Sequence, residues 1–182
     1  MNTIRPSSKL QVEAAIVAAL LVDLLSSTAH AQITAAPSTF AVTGAVESKL
    51  TLTVPAIKQQ FATQLKTISY TLKGVAHTAE VVPLAAIVEA AHPKIDPHVK
   101  HAMLQDVVTV TGKDGYTVVF SWGELLPEIG NEPVWVALDQ DGKPLPAEEG
   151  PVELIVPNDV KPARWVHSVA SIEITAPLPQ NL

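Results

Sequence analysis

"DVVTVTGKDGYTVVFS", Asp106 to Ser121, is the stretch that decides how the chain is read. Two runs rich in β-branched residues flank Lys113-Asp114-Gly115, where the glycine supplies the positive φ that a tight hairpin turn requires. Apolar and polar residues alternate on both sides of the turn, giving strands with one buried face and one wet face. The stretch therefore predicts a β-hairpin, with Asp114 and Tyr116 as turn and strand residues.

Moving outward, Ser121 and Glu124 in "SWGE" have capping-box spacing for a short helix that Pro127 and Gly130 interrupt. "PVWVAL", "VELIVP" and "SVASIEI" read as three more strands, with "DQDGKPL" as a turn after the first. Toward the N-terminus, "TFAVTGAV", "KLTLTV" and "KTISYTL" alternate as half-buried strands do, Pro55 stopping the second and Gly74 the third. Lys58 to Leu65 reads as a short helix. The clearest helix is Pro83 to Ala91, "PLAAIVEAA", with proline in its first turn and "HP" as its stop. Many short strands, short helices and 15 prolines predict an α+β fold rich in mixed β-sheet, not a helical bundle or a doubly wound sheet.

Met1 to Ala31 has the pattern of an export signal: Arg5 and Lys9, then an apolar run from Ala14 to Val22, then a small-x-small end at Ala29-His30-Ala31. The apolar run is too short for a permanent bilayer span. The expectation is a signal peptide over 1–31 and a single ligand-binding domain over 32–182, exported to the periplasm and not membrane-embedded. Arg5 and Lys9 balance Glu13 and Asp23, so the net charge of −6 is unchanged by cleavage. With no basic run, the chain has no means of displacing counterions from nucleic acid or of holding an anionic membrane surface. It also has no cysteine, hence no disulfide framework and no thiolate nucleophile.

The order of "FAVTGAV", "LTLTV", "HTAEVVPLAAIV", "DGYTVVFSWGEL", "VWVALDQDGKPLPAEEGPVELIVP" and "KPARWVHSVASIEI" resembles the sulfite-oxidase-like molybdopterin-binding family from about Phe40 to Ile174. "DGKPL", "GPVELIVP" and the run Lys161, Arg164, Trp165 carry most of the likeness. In enzymes of that family a cysteine sulfur binds molybdenum; the corresponding segment here, "SYTLKGVAHT", offers Leu72, Lys73 and His77. Molybdenum beside a pterin dithiolene needs a soft thiolate, so the resemblance without cysteine implies a pterin-binding protein that is not a molybdenum enzyme. It is similar to exported, cysteine-lacking relatives that act as pterin-binding sensor subunits for a membrane-bound cyclic-di-GMP enzyme. The partner so implied is the periplasmic domain of an inner-membrane signalling enzyme.

A pterin is a flat bicycle edged with donors and acceptors, and a site for it needs a planar surface to stack on and polar groups at the rim. Arg164 is the only arginine after the signal segment and stands beside Trp165. Trp165 is thus the expected stacking platform, with the alternative of a core tryptophan under the last strand. Arg164 and Lys161 match the family's basic positions, Pro162 replaces its serine, and Ser168 is the substitute hydroxyl. His77 and Ser121 complete the expected pocket, with Trp122 at its wall. Three rivals remain: a molybdopterin-dependent oxidoreductase subunit, a periplasmic metal-binding protein using His92, His98 and His101 around Asp96, and a purely structural interaction module. No nucleophile elbow supports a Ser/His/Asp hydrolase.

Overall fold

In the computed structural model, which describes residues 38–146 and 150–176, the strands are β1 (Phe40–Gly44), β2 (Leu50–Leu52), β3 (Lys66–Leu72), β4 (Val75–Pro83), β5 (Val107–Gly112) and β6 (Thr117–Ser121). They continue as β7 (Trp135–Ala137), β8 (Asp139–Gln140), β9 (Lys143–Pro144), β10 (Glu153–Ile155) and β11 (Val169–Thr175). Helices α1 (Val54–Gln60), α2 (Leu84–Ala90) and α3 (Trp122–Leu125) are short, and a 3-10 turn covers Ala102–Leu104. The expected signal peptide lies outside the described residues. Among the described residues no helix is long and apolar enough to cross a membrane.

One sheet has the order β2-β1-β11-β5-β6 and a second the order β10-β7-β4-β3, with β8 and β9 as a separate small ribbon. The larger sheet is mixed because β11 runs parallel to β1 and antiparallel to β5. Alternation explains its inward face: Phe40, Val42, Val108, Val110, Phe120, Ile172 and Ile174 are all buried at period two. They join one continuous core with Val81, Val136 and Leu154 of the other sheet and with Ile57 and Ile87 of the helices. The hairpin over Asp106 to Ser121 forms as the sequence predicts, with Thr111 paired to Thr117 across the turn.

Two local expectations are corrected. Pro55 does not stop a strand; it sits in the first turn of α1, whose N-cap Thr53 accepts the Ala56 N–H at 3.2 Å. The helix expected from Lys58 to Leu65 therefore begins at Val54 and ends at Gln60, a proline in the first helical turn being a start signal rather than a stop. The other correction is β4, which sequence patterning passes over. It lies between β3 and β7, and its successive residues Val81 and Val82, which point to opposite faces, are both fully buried, so both faces are covered and the period-two pattern is lost there.

Gly44 shows how tightly β1 approaches β11. Its φ is +93°, Ala45 N–H donates to Ile174 O at 2.7 Å, and a Cβ at position 44 would stand 2.0 Å from that same carbonyl oxygen. Gly142 also has a positive φ, +72°, but a Cβ there meets nothing within 4 Å. Gly142→Ala should therefore cost about 1–2 kcal/mol, from backbone conformation alone. Gly44→Ala should cost distinctly more, read as the shift in urea midpoint of the two variants; equal costs would show that the β1–β11 approach is not close.

Candidate functional site

The hairpin β3–β4 places Tyr70 directly opposite His77, and the two rings lie 5.6 Å apart between centroids at 30°. Trp165 meets Tyr70 in a T-shaped contact, with centroids 5.4 Å apart at 72°. Two expected site residues, His77 and Trp165, are thus brought into one aromatic row by a third that sequence reading did not single out. The signal for Tyr70 was available: residues 70 and 77 flank the Lys73-Gly74 turn symmetrically, which makes them a facing pair.

The row is fixed from above by the ribbon β8–β9. The Glu80 N–H donates to Asp139 Oδ1 at 2.8 Å, and Gln140 Nε2 donates to the Tyr70 hydroxyl at 3.1 Å. Asp141 takes the Thr78 N–H on Oδ1 at 2.8 Å and His77 Nδ1 on Oδ2 at 2.8 Å. Its own N–H donates to Thr78 O at 2.8 Å. Asp139 and Asp141 of "DQD" thereby hold β4, the strand that carries His77, and Gln140 holds Tyr70 on β3. The hydrogen bond from His77, and next that from the Thr78 N–H, holds the Asp141 carboxyl below the usual aspartate range. An Asp141 carboxylate requires a proton on His77 Nδ1, which leaves Nε2 as the ring atom free to meet a ligand.

The remaining expected residues fall differently. Trp165 is 8% exposed and its Nε1 donates to Val156 O at 3.0 Å, so the indole is a core side chain rather than an open platform. Arg164 is engaged on each of its three nitrogens: Nε and one terminal nitrogen hold both Asp159 oxygens at 2.9 and 2.6 Å, and the other donates to Glu124 Oε1 at 2.9 Å. The guanidinium also lies 4.9 Å from the centroid of Phe120, and the two carboxylates raise its pKa further. The expected capping box is not made, because Ser121 gives no side-chain cap bond and Glu124 turns to Arg164 instead. Ser121 and Lys161 are exposed. Ser168 is buried, and His167 pairs with the buried Glu153 at 3.1 Å.

The histidine-loop alternative is not supported. Among the described residues no three His, Asp or Glu side chains come close enough to hold a metal ion, so His92, His98 and His101 do not converge. His98 and His101 have the spacing of one helical face, but His101 takes a left-handed backbone conformation at φ 55°, as does His92 at φ 54°, so no helical turn aligns the pair.

The His77–Asp141 pair gives a pH-dependent signature. Since the folded carboxyl is depressed, its contribution to stability is present above the unfolded value of about 3.9 and is lost as pH falls through the folded value. In His77→Ala, carbon NMR should show the Asp141 titration moving up toward about 3.9. No movement would mean that the hydrogen bond is absent in solution.

With this geometry in place, comparison with known proteins is informative. Residues 28–181 match the family model described as the oxidoreductase molybdopterin binding domain. Among solved structures, the sulfane dehydrogenase SoxCD from Paracoccus pantotrophus is similar, with a TM-score of 0.53 and 19% identity over 75% of this chain. This chain spans 38% of the SoxCD chain, and the likeness is one of fold. No curated protein sequence matches. The α+β, sheet-rich architecture and a family match covering most of the sequence lead to one assignment: the chain belongs to the oxidoreductase molybdopterin binding domain family.

Proposed function

We propose that this chain is an exported, non-catalytic member of the family that binds a pterin without molybdenum and acts as a sensor subunit. The observation that carries the reading is the donor set. The sequence has no cysteine, and the stretch set against the family's metal-binding sulfur presents Leu72, Lys73 and His77. In enzymes of this family the molybdenum beside the dithiolene takes a soft thiolate, and neither an imidazole nor an ammonium has that softness. His77 has Nδ1 committed to Asp141, and Lys73 occupies the turn at φ 50°. These residues do not fit the molybdenum centre.

The aromatic and polar groups are better suited to a flat heterocycle. His77 Nε2, the Ser121 hydroxyl and the Lys161 ammonium remain available, whereas Arg164 and Trp165 serve the fold. Signalling requires that the ligand favour one arrangement of a segment that also meets the partner. The loop over 157–164 suits that role, because Arg164 ties it to α3 and the Tyr116 hydroxyl ties it to the β5–β6 turn by donating to Ala163 O at 2.5 Å. The partner the resemblance implies is the periplasmic domain of an inner-membrane cyclic-di-GMP enzyme. The second reading, a molybdopterin-dependent oxidoreductase subunit, is favoured by the family match itself.

The reading is tested by titrating the purified protein with oxidised and with reduced pterin and following tryptophan fluorescence. Saturable quenching by at least one form is expected. A flat response to both would reject pterin binding.

A further inference from the structure

An accessible indole with a cation beside it lies at the open end of the β3–β4 hairpin, away from the Lys73-Gly74 turn. Trp135 opens β7, pairs with Pro83 of β4 and Ile155 of β10, and is only half-buried. Trp122 and Trp165, by contrast, are 2% and 8% exposed. The ammonium of Lys66, at the start of β3, lies 5.3 Å from the centroid of the Trp135 ring. These two residues line a cleft of about 580 Å³ together with Leu125, Asn131, Glu132 and Asn158.

The cleft has the attributes of a small-molecule site. Its volume falls in the usual range of roughly 300–1,000 Å³, and its lining sets Lys66, Asn131, Glu132 and Asn158 beside the Trp135 indole and apolar Leu125. An indole face receives a planar ring by offset stacking. The Lys66 ammonium over that face attracts negative charge on the incoming molecule. Side-chain amides on Asn131 and Asn158 can both donate and accept at a heterocycle's rim, and the Glu132 carboxylate accepts from an exocyclic amine. None of these groups is used by the aromatic row at His77. Lys66 is four residues along β3 from Tyr70, or roughly 13 Å of strand.

We propose that this cleft is the binding site for a planar heteroaromatic acid, stacked on Trp135 with its acidic substituent on Lys66. The choice of pterins as probes rests on the pterin-binding reading above; the position of the site rests on Trp135, Lys66 and the cleft. Lys66 then swings from the ring face to the ligand's anionic group, and the ring takes its place on the indole.

The test is calorimetric titration with pterin-6-carboxylate, which carries the acid, and with unsubstituted pterin, which does not. Lys66→Gln should weaken the carboxylate by about tenfold, the loss of one charge-assisted pair, while shifting unsubstituted pterin by less than about twofold. Trp135→Leu should weaken both. Because Trp135 is paired within its sheet, Asn158→Ala, a change at an exposed residue, provides a second variant should Trp135→Leu fail to fold; it too should weaken binding. Wild-type affinity for both probes in Lys66→Gln, together with loss in His77→Ala, overturns this site while leaving pterin binding in place. No saturable heat with the wild-type protein overturns both.

Discussion

A single guanidinium organises the region on which the functional reading turns. Arg164 holds both oxygens of Asp159, one oxygen of Glu124 and the face of Phe120, joining the loop before β11 to α3 and β6. A lysine has the charge but not the planar fork, and could not hold two carboxylates and an aromatic ring in one fixed orientation. The side chain is 31% exposed, so its ion pairs are screened and are worth far less than buried ones. Its larger effect is geometric: with Arg164 held, the backbone at Trp165 delivers the indole into the core, where Nε1 reaches Val156 O.

That constraint explains why the site was only half legible in the sequence. A lone arginine beside a tryptophan is a strong sign that planar, multi-donor chemistry is needed at that place. It does not say whether the partner is a ligand or two carboxylates separated from it by 5 and 40 positions. Glu124 was legible as a helix-capping residue, and the tertiary partner outcompeted the local one. His77 was legible from the missing sulfur, but Asp141 lies 64 positions away and only the turn of "DQDGKPL" brings it back.

The fold was more readable where local chemistry was unambiguous. The Lys113-Asp114-Gly115 turn, the helix from Pro83 and the alternating runs of β1, β3 and β11 each carry their own signal. β4 had none over Val81 and Val82, since a strand covered on both faces loses its alternation. Trp135 was legible as a strand residue, yet nothing in "PVWVAL" reveals that its ring borders an open cleft beside a lysine brought in from β3. Sequence spacing reports faces of single elements; cavities arise between elements.

Taken as a whole, the family's scaffold is present while its thiolate is missing, its conspicuous cation serves as a tie, and one indole is left facing a ligand-sized space. Elemental analysis of the protein purified from the cells that make it measures the consequence most directly. Molybdenum far below one atom per chain, with a pterin fluorophore released on denaturation, is the expected result. Molybdenum near one atom per chain would contradict the account, because it would require a metal held here without sulfur from the protein.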